Sequence, residues 1–119
     1  MRYLLTDHEA DPALLLRPAT ALDRCADVIG HEAGGPAAVL HDFVTAFRPA
    51  QLPRLQELTA RNVGFGVETA SSMFDDDLDS ENEPFEGVLI VAPFRGDEVV
   101  VSRAAYKRFV AAMLEQATR

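Results

Sequence analysis

A chain of 119 residues has room for one domain that buries roughly two thirds of the surface its unfolded form exposes, and its 48% hydrophobic and 25% charged content excludes a disordered chain. With 19 acids against 11 bases and a pI near 4.7 it lacks the clustered Lys and Arg that phosphate binding demands, so no nucleic acid is expected as a partner, and a protein with a basic surface is. No apolar run has the length of a signal-peptide core or a membrane span, and the single cysteine, Cys25, leaves no intramolecular disulfide, so a cytoplasmic, reducing setting without membrane attachment is expected.

Residues 2–6, RYLLT, predict a first strand, and the polar cluster DHEADP that follows predicts a turn. ALLLR between Pro12 and Pro18 fits either one helical turn opened by Asp11 and Pro12 or a short strand. Thr20, with Asp23 in capping-box register, precedes Leu22, Cys25, Ala26 and Ile29 on one helical face before Gly30, which predicts a helix with Cys25 as a buried, inert thiol. GHEAGGP reads as a loop. Pro36 then sits where a first helical residue would, ahead of Val39, Leu40, Phe43, Val44 and Phe47 at helical spacing, and Pro49 ends that helix. A shorter third helix is expected from about Pro53, with Leu52, Leu55 and Leu58 on its inner side and Asn62 as a left-handed cap.

From Val63 the period changes to two. Val63, Phe65, Val67 and Thr69 point one way and Gly64, Gly66 and Glu68 the other, which predicts a strand over 63–70 whose glycines mark a bulge or a close approach by another backbone. GVLIVA at 87–92 is apolar on both faces, as a central strand is, and the turn FRGD returns the chain as EVVVS at 98–102, its hairpin partner. Ser102 caps a closing helix with Tyr106, Phe109, Val110, Met113 and Leu114 on one stripe and Arg103, Lys107 and Arg108 toward water. Together these elements predict a single α+β domain over residues 1–119, with a mostly antiparallel sheet of about four strands and helices packed on one face.

The charge is local. Residues 68–86, ETASSMFDDDLDSENEPFE, hold eight acids and no base, and no Lys or Arg occurs from Asn62 to Phe94. Without those eight the chain balances at 11 against 11. Asp75, Asp76, Asp77, Asp79, Glu81 and Glu83 are therefore the candidate partner-binding residues. Asp75, Asp77, Asp79, Glu81, Glu83 and Glu86 also fall at positions 1, 3, 5, 7, 9 and 12 of a calcium loop, but Ser80 replaces the glycine of position 6, Asn82 the aliphatic residue of position 8, and Pro84 interrupts the exit helix. No metal or other cofactor is expected.

Catalytic signatures are lacking. The histidines adjoin acids (Asp7, His8 and Glu9; His31 and Glu32; His41 and Asp42), but neighbours on a helix or strand do not face each other, so no dyad is expected. His41 lies about 130° from the centre of its helix's apolar face and is expected to be exposed. HEAGG has Gly35 where a zinc motif needs its second His, and GFGVET lacks the third glycine of a dinucleotide fingerprint. No catalytic residue is named, and the chain is read as a non-enzyme.

The closing unit GVLIVAPFRGDEVVVSRAAYKRFVAAMLEQ beside a concentrated acidic loop resembles the small immunity proteins of bacterial polymorphic toxin systems. That resemblance implies a non-enzymatic inhibitor that blocks a cognate toxin, often a nuclease with a basic substrate site, and it assigns no role to any one residue. The alternatives are a structural or regulatory subunit that self-associates, its acids serving solubility, and a small enzyme with a cryptic pocket of scattered Asp, Glu and His.

Overall fold

In the computed structural model, which describes residues 1–76 and 83–118, the domain is α+β. Five strands form the main sheet: β1 (Arg2–Leu4), β4 (Gly66–Val67), β5 (Ala70–Phe74), β6 (Val88–Ala92) and β7 (Asp97–Val101). They lie in the order β1-β7-β6-β5-β4. All neighbours are antiparallel except β1 and β7, which run parallel with Tyr3 opposite Val99. No hairpin turn joins the first strand to the last, so nothing forces them to run in opposite directions.

Helices α2 (Gly35–Ala46), α3 (Leu52–Ala60) and α4 (Arg103–Ala117) complete the main body. Alternation along the strands sends Val88, Ile90, Ala92, Val99 and Val101 toward α2 and α4, where they meet Val39, Leu40, Phe43, Val44, Tyr106, Phe109 and Met113 in one core. The Phe43 ring meets Phe47 edge-on at 5.0 Å, and Phe74 meets Tyr106 at 5.5 Å. Burying these rings is the largest single contribution that any side chains make to the core. Ser102 caps α4 as expected, its hydroxyl accepting from the Ala105 amide, and Asn62 closes α3 with a φ of 57°.

Between Pro12 and Pro18 the chain does both things its residues allow. Asp11 caps one helical turn, α1 (Pro12–Leu15), and the chain then extends as β2 (Leu16–Pro18). The helix expected from Thr20 to Ile29 is absent. Its place is taken by a loop and by β3 (Ala26–Val28), antiparallel to β2, with Leu22 fully exposed. The buried Asp27 carboxylate explains the difference. It accepts from the Thr20 amide at 3.1 Å and the Thr20 hydroxyl at 2.9 Å, and Arg24 Nε lies 2.6 Å from its other oxygen. Those contacts close a hairpin loop, and a short segment's helix propensity is too weak to compete with a ladder and an ion-paired buried carboxylate. Cys25 is buried beside β3 rather than on a helix, and burial pushes its thiol up to about 11.

The hairpin also corrects the expectation for His41. It covers that side of α2, so His41 is half-buried, and its Nδ1 accepts from the Val28 amide at 3.3 Å. The His31 ring stacks on it at 3.6 Å, with planes 5° apart. His31 begins a 3-10 turn, His31–Ala33, between left-handed glycines, and there Nε2 reaches Glu32 Oε1 at 3.2 Å although the two are adjacent in sequence.

The strand expected over 63–70 is shorter and turns earlier. Only Gly66–Val67 is extended, and residues 68 and 69 form the turn into β5. The glycines do mark a close approach: a side chain on Gly64 would strike the Ser72 carbonyl, and one on Gly66 the Ser71 side chain. On β5, Ser72 is buried because it has partners. Its hydroxyl lies 2.7 Å from the Tyr106 hydroxyl and accepts from the Phe65 amide at 3.2 Å.

Candidate partner-binding site

The acidic stretch leaves the sheet where β5 ends and returns where β6 begins. At that end β1 and β7 also finish and α4 starts, so five elements meet around its two feet. Those feet are bonded to each other. The Asp75 amide donates to the Gly87 carbonyl at 3.0 Å, and the Gly87 amide donates to Asp75 Oδ2 at 2.8 Å. Gly87 has a φ of 106°, and a side chain there would run into the Val101 carbonyl, so only glycine fits this neck.

Two arginines hold the feet against the body. Arg103, in the first turn of α4, is ion-paired with Asp75, and its guanidinium lies over the Phe74 ring at 5.4 Å and 3.6 Å from Asp76. The hydrogen bond from Arg103, then that from the Gly87 amide, holds the Asp75 carboxyl below its ordinary range. The returning limb is held by Arg2 of β1. Its Nη1 and Nη2 donate to the carbonyls of Pro84 and Glu83 at 3.0 and 3.1 Å, its Nε donates to Glu98 at 3.0 Å, and its guanidinium lies over the Phe85 ring at 5.9 Å. Arg103, expected to face water, is thus a clamp.

The six candidate acids divide accordingly. Asp75 is bound at the neck. Asp76 stands beside it with its side chain two thirds exposed, and the Glu83 side chain is 85% exposed. Asp77, Asp79 and Glu81 lie outside the described residues, as does half of the calcium-loop register. Among the described residues no group of three or more His, Cys, Asp or Glu side chains converges as a metal site, and no helix is long and apolar enough to cross a membrane.

A groove of about 700 Å³ opens beside the neck. Its walls include Leu4 and Arg2 of β1, Val100 of β7, Arg103, and Phe85 and Glu86 of the returning limb. Arg2, Gly87 and Arg103 are the site residues that sequence reasoning missed. The only signal for Arg103 is its position just after the Ser102 cap, which becomes informative once the strand register places Asp75 beside it. No family model, curated protein or solved structure matches the chain.

Proposed function

We propose that the chain is a non-enzymatic protein-binding module that presents its acidic stretch to a basic surface of a partner, as an immunity protein does when it neutralises a toxin. The observation that carries this reading is the double clamp. Arg103 and Arg2 hold the two feet of the stretch, and Asp75 and Gly87 bond across its neck, so the stretch leaves and rejoins the sheet at one defined end. Elsewhere many of the charges pair with each other: Arg17 with Glu32, Arg24 with Asp27, Arg95 with Asp42, Arg108 with Asp7, and Arg54 and Arg61 with Glu57. The surplus of negative charge is therefore concentrated at one place. Complementary potentials of this kind raise association rates and can occupy a phosphate-binding surface. The cytoplasm, where Cys25 stays reduced, is the proposed site of action.

The test starts from a partner captured by the wild-type protein and not by a variant with Asp76, Asp77, Asp79 and Glu83 changed to their amides. Association rates of the two are then compared at several salt concentrations. The variant is expected to associate about tenfold more slowly at low salt, with a flatter salt dependence, because screening within about 10 Å at 0.1 M removes the steering. Equal rates and equal salt slopes would reduce the stretch to a solvated surface.

A further inference from the structure

The face of the sheet turned away from the helices carries a cross-strand row, Leu4, Val100, Leu89 and Met73, set by the register of β1, β7, β6 and β5. Leu89 and Val100 are covered, whereas Leu4, at the edge, is 72% exposed and forms one wall of the groove beside the acidic neck. Phe85 also contributes an apolar side chain to its lining. Arg2 and Arg103 also line the groove, but Glu98 and Asp75 already neutralise them. What the groove offers a partner is an apolar lining with Glu86 in it, next to the neck that carries the exposed Asp76 and Glu83.

We propose that this groove receives an apolar side chain of the partner, carried on an extended segment with Lys or Arg on either side. The inference rests on the acidic stretch being the docking surface, and it names what docks there. Charge steers encounter, but lasting affinity comes from a few apolar anchors that lose their water in a pocket, and the groove is the apolar pocket adjoining the charge. The edge strand suits an extended segment. The Glu98 amide donates to the Met1 carbonyl at 2.9 Å and the Leu5 amide donates to the Val100 carbonyl at 3.0 Å. The ladder's alternation therefore turns the backbone groups of Arg2 and Leu4 outward, where the amides have no hydrogen-bond partner among the described residues.

The test is a methyl-detected NMR titration of the full chain with three synthetic peptides: Leu-Phe between two Lys-Arg pairs, Ser-Ser in the same flanks, and Leu-Phe between Glu pairs. The first should bind and shift the Leu4 and Val100 methyls, the second should bind at least about tenfold more weakly, and the third should not bind. Leu4→Ser, at an exposed position, should keep the folded spectrum and lose about tenfold in affinity for the first peptide. D76N with E83Q should weaken both basic peptides alike. Equal binding of the first two peptides, an unaffected Leu4→Ser, shifts centred away from the groove, or no binding at all would overturn the proposal. If the acidic-flanked peptide bound as well as the basic ones and D76N with E83Q changed nothing, the docking role of the acids would fall with it.

Discussion

The bond between Ser72 and Tyr106 ties β5, which Asp75 directly follows, to α4, which carries Arg103, so its strength governs how firmly the acidic neck is seated. Both hydroxyls are buried, 2.7 Å apart, and the Phe65 amide donates to Ser72 at 3.2 Å. Burial pushes the Tyr106 hydroxyl pKa up, with Ser72 and Thr59 opposing it, so the phenol stays protonated and can act as donor. Tyr106→Phe removes one buried hydrogen bond but leaves Ser72 with Phe65, and is expected to cost about 1 kcal/mol. Ser72→Ala is expected to cost more, about 2 to 3 kcal/mol, because it leaves two donors, the phenol and the Phe65 amide, without that acceptor. On the Ser72→Ala background Tyr106→Phe should then be neutral or stabilising, since the phenol has lost its reason to be there. Urea denaturation of the four proteins closes this cycle, with constant slopes showing that the unfolded state is unchanged. If Tyr106→Phe cost the same on both backgrounds, the two hydroxyls would be uncoupled and the tie between β5 and α4 would not exist.

Phe109, buried in the stripe of α4, should cost about 3 to 5 kcal/mol as Phe109→Ala, and an unchanged melting temperature would remove α4 from the core. His41 has its pKa lowered, first by burial and then by the neighbouring His31, with Arg24 acting in the same sense and Asp27 and Asp42 opposing. Its neutral form is favoured in the fold, so its contribution is complete above the ordinary imidazole value of about 6.5 and declines as pH falls from there toward the lower folded value. Unfolding free energies measured from pH 8 to 5 should show that decline and show it flattened in His41→Leu; parallel profiles for the two proteins would contradict the burial of His41 between the hairpin and His31. Gly87→Ala should unfold the neck or the domain, whereas Gly96→Ala, with a φ of 72° but open space around it, should be tolerated far better, and equal melting temperatures would rule out the steric argument.

What was legible in the sequence was decided within a few residues along the chain. Ser102 finds the Ala105 amide, Pro49 cannot continue α2, Asn62 tolerates a left-handed φ, and the apolar runs of β6 and β7 are buried on both faces as a central hairpin's are. What was not legible depends on contacts from far away. Cys25 and Ala26 have helical spacing with Leu22, yet the pairing of Val28 with Leu16 and the capture of Asp27 by Thr20 decide the conformation. Strand β5 was hidden because its buried middle residue is a serine, whose partner Tyr106 lies on another element. The site divides on the same line. An excess of acids is a property of composition and can be counted, but where the two feet of the stretch stand depends on Arg2 and Arg103, which reach them from β1 and α4. Two arginines at the feet also reduce the repulsion among the crowded carboxylates where the chain must stay folded.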